Sequence, residues 1–213
     1  MNNTVRFIVR VAIFGAIAGI LYAVPFLAFN IPLFPPFLKF HFDEIPLLIA
    51  GFAYGPWVAF AAIFVRALIK LPIDIGETMG VGVLADLLFS ISFILPATFI
   101  YKYKRTFVGA IIGISVGTVT QLIAAMIGNV YAMIPFYLYL YGMDEVKMLD
   151  VINSATIWKI QDLKWSYAFV AVLPFNAIKD AIVIIVTLLV YKPLRRVINR
   201  INEKSSENRE PSE

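Results

Sequence analysis

The stretch Phe175–Val186 reads FNAIKDAIVIIV and lies inside a longer, otherwise apolar run, residues 167–191. It places Asn176, Lys179 and Asp180 in a segment long enough to cross a bilayer, for which a helix needs about 20 residues. A charge at that depth costs at least about 2.5 kcal/mol, so such residues usually face a protein interior or a water-filled cavity. The stretch therefore predicts a membrane helix with one functional polar face.

The composition of the whole chain agrees with this interpretation. Of 213 residues, 61% are hydrophobic and 15% are charged, whereas soluble proteins carry roughly a quarter charged residues. Alternating strands of the barrel type are missing, so helices are the architecture that satisfies the backbone in lipid. We expect an all-α integral membrane protein.

The rarity of reactive side chains excludes several kinds of chemistry. The chain has no cysteine, and its one histidine is His41, which excludes a cysteine nucleophile, a disulfide and the usual zinc site. We expect no catalytic residue and no metal site.

Apolar runs predict six helices, near residues 7–28, 45–54, 56–71, 79–101, 107–140 and 166–191. The alternative joins the second and third into one kinked helix, which would move every later loop to the opposite side of the membrane. Cytoplasmic loops carry the excess of Lys and Arg, and the six-helix arrangement puts most cations inside, with Arg66 and Lys70 counted outside. We therefore expect six transmembrane helices with both termini cytoplasmic.

Three segments depart from a simple span. The second helix is short, about 15 Å, and the fifth would reach about 51 Å, so it must tilt, break near Pro135 or protrude outward. The charged segment after Met143 is expected to lie over the outer mouth of the bundle. We assign residues 1–202 to a single membrane domain and the polar residues 203–213 to a disordered tail.

The face that carries Asn176 and Lys179 needs a polar counterpart, which the fifth helix supplies as Asn129 and Tyr131. Asparagine amides offer donors and acceptors, and lysine offers donors. This set suits a neutral ligand with amide-like groups at its edge. The alternative is that these side chains only bridge helices.

The loop after the first helix, residues 29–42, reads FNIPLFPPFLKFHF. Its phenylalanines, with Phe40 as a candidate contact, could close over a flat aromatic ligand, and its prolines limit the cost of ordering it. The alternative is a loop at the membrane interface.

Other polar residues have two interpretations each. Asp43 could cap the helix that begins at Ile45 or contact a ligand. Asp74 and Glu77 could meet ligand hydroxyls or form a solvated turn. We expect His41 to be a surface or loop-packing residue.

Nucleotide binding is not indicated. GVGVLA, residues 80–85, fits a dinucleotide pattern but opens an apolar helix rather than following a strand, and no GxxxxGK[ST] loop is present. The first helix carries two pairs of small residues, Ala12 with Ala16 and Gly15 with Gly19, which permit close approach of another helix.

Together these features resemble the riboflavin-binding S components, the RibU family, of energy-coupling factor (ECF) vitamin transporters. The resemblance rests on AxxxA in the first of six helices, the loop ending KFHFDEIP, the continuation LLIAGFAYGP and NAIK in the sixth helix. It covers about residues 5–200. The loop departs from the family at His41 and Glu44, where smaller polar residues are expected.

The resemblance implies a binding subunit that takes up riboflavin from outside and performs no covalent chemistry. Asn129, Asn176 and Lys179 would hold the isoalloxazine ring, and Ala12 and Ala16 would face the transmembrane T subunit. Two cytoplasmic ATPases would supply energy. Riboflavin would be the cargo, with no resident cofactor and no nucleic acid partner, in a bacterial cell membrane.

Three alternatives stay open at this point. The ligand could be another vitamin or a flavin such as FMN, although a phosphate calls for more cations than Lys179 alone. An intramembrane enzyme could use Lys179, Asp180 or Asp86 as acid and base. A structural membrane subunit would bind no ligand.

Overall fold

The computed structural model describes residues 2–24, 29–31, 33–35 and 38–207, with side chains except those of residues 29, 30, 77 and 191–207. The described chain is helical apart from one pair of two-residue strands. The helices are α1 Asn3–Ala23, α2 Glu44–Tyr54, α3 Pro56–Thr78, α4 Val81–Tyr103, α5 Phe107–Gly128, α6 Ile134–Tyr141, α7 Glu145–Ala155, α8 Trp165–Tyr167 and α9 Leu173–Glu207.

The core forms where the short helix α2 lies inside the bundle. Residues Glu44–Phe52 of α2 are all buried, and their apolar members pack against α3, α4 and α9. Around this core α4 packs along α5, and α1 packs along α3. A helix that is apolar on every side is expected at such a central position.

Helix α3 is longer than the apolar pattern indicates. We expected it to end near residue 71, but it continues through Pro72 to Thr78, where Met79 and Gly80 adopt left-handed φ values of 52° and 84°. A left-handed pair after the last turn is a common way to end a helix. The extension places Asp74 on a helix rather than in a turn.

Two other helix ends differ from the sequence-based bounds. Helix α1 ends at Ala23, and residues 25–28, which we included in it, lie outside the described part of the chain. Helix α9 continues to Glu207, so the first residues of the expected tail are helical, and residues 208–213 lie outside the described part.

Two π-helical segments interrupt the long apolar helices. The first, Asn129–Met133, joins α5 to α6, and the second, Ala168–Val172, joins α8 to α9. Each ends two residues before a proline, Pro135 or Pro174, whose ring would clash with the carbonyl four residues earlier in a regular α-helix. Wider π turns relieve that clash, and such turns are frequent at functional sites.

Within the described part of the chain, four helical stretches are long and apolar enough to cross a membrane: Asn3–Ala23, Val81–Tyr103, Phe107–Tyr141 and Trp165–Val190. Helix α2 is apolar but has only 11 residues. Helix α3 carries Arg66 and Lys70, the two cations counted on the outer side. Their side chains are 1% and 2% exposed inside the bundle, so these charges are paired within the protein rather than solvated.

The loop before α2 folds back on itself. Its strands β1 Phe29–Asn30 and β2 Lys39–Phe40 pair antiparallel, and Phe34 packs edge-on against Phe175 of α9 at 5.5 Å between ring centroids. Helix α7, from the segment expected over the bundle mouth, buries Met148 and Ile152. The loop and α7 therefore cover the same end of the bundle.

Candidate ligand-binding site

A cavity of about 560 Å³ lies under the loop and α7, a size within the range of pockets for small organic ligands. Every element of this end of the bundle contributes to its wall. The lining residues are Tyr22, Leu38, Lys39, His41, Lys70, Asp74, Thr78, Gly82, Ala85, Asp86, Phe89, Asn129, Met133, Tyr137, Tyr141, Met143, Met148, Val151, Phe175, Asn176 and Lys179.

The structure brings three of the predicted site residues, Asn129, Asn176 and Lys179, to this one cavity. Each asparagine is 5% exposed and donates one amide hydrogen to the carbonyl one turn earlier, at 2.8 Å. Because an amide carries two hydrogens, each asparagine keeps one donor for a ligand.

The carbonyl oxygens of these asparagines are held by neighbouring helices. Asn129 Oδ1 accepts from the Tyr167 hydroxyl at 3.5 Å, and Asn176 Oδ1 accepts from Gln121 Nε2 at 3.1 Å. With their oxygens engaged, the two amides are oriented and present N–H groups to the cavity. Gln121 is fully buried and was not predicted as a site residue.

Lys179 has a carboxylate partner that the sequence did not identify. Its ammonium donates to Glu44 Oε1 at 3.1 Å and lies 4.0 Å from Asp180 Oδ1. The Ser90 hydroxyl donates to the same Glu44 oxygen at 3.1 Å. Two carboxylates therefore fix a lysine that has three donors, and a further donor is available at the cavity wall.

Strand alternation decides which loop residues reach the cavity. Successive side chains of an extended strand point to opposite sides, so Lys39 and His41 line the cavity while Phe40 is 0% exposed in the core. The Phe40 ring packs on Phe42 at 4.9 Å between centroids. Phe40 is therefore not a cavity residue, although its neighbours in the loop do cover the cavity.

His41 is part of the cavity wall rather than a surface residue. Its ring lies 4.5 Å from that of Tyr22 between centroids, and its Nδ1 atom is buried without a hydrogen-bond partner among the described residues. Burial lowers the pKa of His41 to about 4. The imidazole is therefore neutral at physiological pH.

Asp43 precedes α2, as expected of a capping residue, but its side chain makes no cap hydrogen bond. It accepts instead from Arg66 Nη1 at 2.9 Å. Burial alone would raise the pKa of Asp43, but the charges of Arg66 and Lys70 lower it below its usual range. The carboxylate is drawn to these cations because a buried guanidinium needs an anionic partner.

The predicted contact Tyr131 lies elsewhere. Its side chain is 66% exposed, and its ring packs against Trp165 at 6.3 Å between centroids. It follows Asn129 by two residues, so the two side chains point to different sides of the helix. Tyr131 is not among the described residues that line the cavity.

Helix α1 has two distinct faces. Gly15 and Gly19 lie against α3, where an added Cβ atom would come within 2.6 Å of Val65 and 2.7 Å of Ile69. Ala12 is exposed and Ala16 is partly exposed on another side of the helix. The GxxxG pair is therefore used for internal packing, and the AxxxA pair is available for contact with another protein.

Residues 6–191 match the family model described as "ECF transporter, substrate-specific component". This chain belongs to that family. An S component of this family is the substrate-binding part of a transporter and is not an enzyme, and the apolar helices make it a multi-pass bacterial membrane protein.

Several curated relatives cover nearly the whole S component. The riboflavin transporter RibU of Staphylococcus aureus is 29% identical over 90% of this chain and 93% of its own length. The riboflavin transporter FmnP of Bacillus subtilis is 26% identical over 87% of this chain and 92% of its own.

A solved structure supports the fold of the S component. The structure described as "Structure and mechanism of the S component of a bacterial ECF transporter" superimposes with a TM-score of 0.70 at 28% identity, covering 92% of this chain and 99% of the other. The expected S-component fold is thereby confirmed.

Proposed function

We propose that this S component binds riboflavin in the cavity between α5, α6, α9 and the loop. Membership of the family and the similarity to proteins named riboflavin transporters support this ligand class. The observation that carries the proposal is the convergence of Asn129, Asn176 and Lys179 on one cavity.

The chemistry of this wall fits one edge of an isoalloxazine ring. The two asparagines and Lys179 present N–H donors, and the ring carries carbonyl oxygens and ring nitrogens that accept hydrogen bonds. Phe175 and Tyr137 on the same wall provide flat apolar surface for the ring. Riboflavin is then the cargo, and we propose no resident cofactor.

We further propose that six helices, α1, α2, α3, α4, α5 with α6, and α9, span the membrane or part of it, with both termini cytoplasmic. Helix α2 would cross only part of the bilayer, which is tolerated because it is buried in protein. The buried ion pairs of α3 allow its charges to lie at membrane depth. The cavity would open to the outer side.

For transport, we propose that Ala12 and Ala16 contact a transmembrane T subunit and that two cytoplasmic ATPases drive release. The partner set follows from the family. The exposure of the two alanines beside a buried GxxxG pair supports their role in coupling, because small residues allow helices to approach closely.

The test is a riboflavin titration of the detergent-purified protein, following the loss of flavin fluorescence. Replacing Asn176→Leu removes one donor and the partner of Gln121, and we expect riboflavin affinity to fall at least about tenfold, the equivalent of about 1.4 kcal/mol. The control Tyr131→Ala changes an exposed aromatic residue outside the cavity and should leave affinity unchanged. Equal affinities of Asn176→Leu and wild type would contradict the assigned site.

A further inference from the structure

The cavity has a second polar wall, on α1, α3 and α4, that the ring-binding residues do not use. Its described residues are Tyr22, Lys70, Asp74, Thr78 and Asp86. This wall and the wall formed by α5, α6 and α9 enclose one cavity. A ligand that fills the cavity meets both.

Asp74 is the centre of this second wall. Its side chain is buried, with the residue 6% exposed, and its Oδ1 accepts from the Tyr22 hydroxyl at 3.3 Å while Oδ2 accepts from the Thr78 hydroxyl. A carboxylate has about four lone-pair positions. Two of them are therefore available for further donors.

The α3–α4 turn builds this arrangement. The Gly82 backbone N–H donates to Thr78 Oγ1 at 3.0 Å, and a Cβ atom at Gly82 would lie 2.7 Å from Asp74 Oδ2. The glycine thus leaves the space that the carboxylate occupies. The site depends on backbone geometry as well as on side-chain identity.

Two of the three lysines that line the cavity are paired with carboxylates other than Asp74. Lys70, one turn before Asp74, pairs with Asp86 Oδ2, and its ammonium lies over the Tyr22 ring at 3.8 Å from the centroid. Lys179 pairs with Glu44. The described partners of Asp74 are hydroxyl groups, so its negative charge is not neutralised by an ion pair of its own.

The two walls are chemically opposite. The wall of Asn129, Asn176 and Lys179 offers N–H donors. The second wall offers the carboxylate of Asp74 as an acceptor, beside a pair of Lys70 and Asp86. Riboflavin has the same division, since its ring edge accepts hydrogen bonds and its ribityl side chain carries hydroxyl donors. A phosphate at the end of that side chain would be an anion without donors when fully ionised, and it would be repelled by a carboxylate.

Building on the proposed riboflavin site, we propose that Asp74, supported by Tyr22 and Thr78, binds the polyol side chain of the flavin and discriminates against its phosphorylated form. The structure assigns Asp74 the role of a specificity-determining residue. It selects by favourable hydrogen bonds to hydroxyls and by repulsion of an anion, which together separate riboflavin from FMN more strongly than either alone.

The experiment compares three flavins by fluorescence titration: riboflavin, lumiflavin, which has a methyl group in place of the polyol, and FMN. The variant Asp74→Asn keeps the size of the side chain and one acceptor oxygen, and it replaces the second oxygen by an NH2 donor. We expect it to bind riboflavin about tenfold more weakly, in line with the loss of a charge-assisted hydrogen bond, and to bind lumiflavin as wild type does.

The preference for riboflavin over FMN is the second readout. We expect wild type to bind FMN at least about tenfold more weakly than riboflavin and Asp74→Asn to lose most of that preference. The control Asp150→Asn removes one carboxylate from the exposed face of α7 and should change neither quantity. Gly82→Ala, which crowds Asp74 Oδ2 without changing charge, should weaken riboflavin more than lumiflavin.

The outcomes separate this proposal from the riboflavin assignment. Equal weakening of riboflavin and lumiflavin in Asp74→Asn, or FMN binding as tight as riboflavin in wild type, would overturn the role of Asp74 while leaving a flavin site. Failure of wild type to bind any of the three flavins would overturn the riboflavin assignment and the role of Asp74 with it.

Discussion

At the scale of single residues, buried cations determine how the loop is attached to the bundle. Among the described residues, Arg66 pairs with Asp43, and Lys179 pairs with Glu44. The lysine was predictable because it interrupts an apolar run, but its partner lies 135 residues away in the chain, and one sequence does not show which distant carboxylate meets it.

Lys179→Met should destabilise the protein because it leaves Glu44 and Asp180 buried beside no cation. Breaking a buried pair on one side typically costs about 3 kcal/mol or more. The double variant Lys179→Met/Glu44→Gln should recover part of that loss, because it also removes the charge of Glu44, which would otherwise be buried without its cation. Thermal unfolding in detergent measures both, and a double variant no more stable than Lys179→Met would refute the pairing.

The neutral state of His41 predicts a pH dependence. Burial lowers the pKa of His41 from 6.5 to about 4, so the folded protein binds fewer protons than the unfolded chain between these values. Stability contributed by this residue therefore falls as pH is lowered through that range. Wild type should lose more thermal stability than His41→Gln between pH 7 and pH 5, and equal losses would contradict a buried neutral imidazole.

At the scale of elements, the two π segments set the angular position of the ligand-binding side chains. Apolar periodicity located the helices, and Pro135 marked where the fifth departs from regularity. The π register itself was not predictable, because the same letters fit an α-helix and only the packing of both flanking halves requires the wider turn. The segment Asn129–Met133 begins with a cavity residue.

Deleting Ala132 from this segment should convert it to a regular α-helix and leave the direction in which Tyr137 faces nearly unchanged, because a π turn holds one residue more than an α turn. We therefore expect helix content by circular dichroism and riboflavin affinity to stay close to those of wild type. Deleting Phe136 from the regular helix α6 should instead rotate Tyr137 by about 100° and lower riboflavin affinity at least about tenfold. Equal affinities of the two deletion variants would contradict this role of the π segment.

At the scale of the whole molecule, one face of α1 packs inside the bundle and another face is free to contact a partner protein. The sequence showed both small-residue pairs on α1 but not which of them is buried, since either could face α3. Gly15 and Gly19 take that position, which leaves Ala12 and Ala16 toward the outside.

Ala12→Leu with Ala16→Leu should leave riboflavin binding intact and lower riboflavin uptake in cells that also supply the T subunit and ATPases, because bulk on this face prevents close helix contact. The control Ala181→Leu adds the same bulk at an exposed position on α9 and should not affect uptake. Gly15→Ala should instead lower the unfolding temperature. Normal uptake by the double alanine variant would contradict the coupling face.

The most direct test of the central claim is the stoichiometry of riboflavin binding by the purified wild-type chain, followed by flavin fluorescence in detergent. A substrate-binding subunit that holds riboflavin in this cavity should quench the fluorescence saturably at one riboflavin per chain. Fluorescence that does not change over the titration, with protein that purifies colourless, would contradict riboflavin as the ligand.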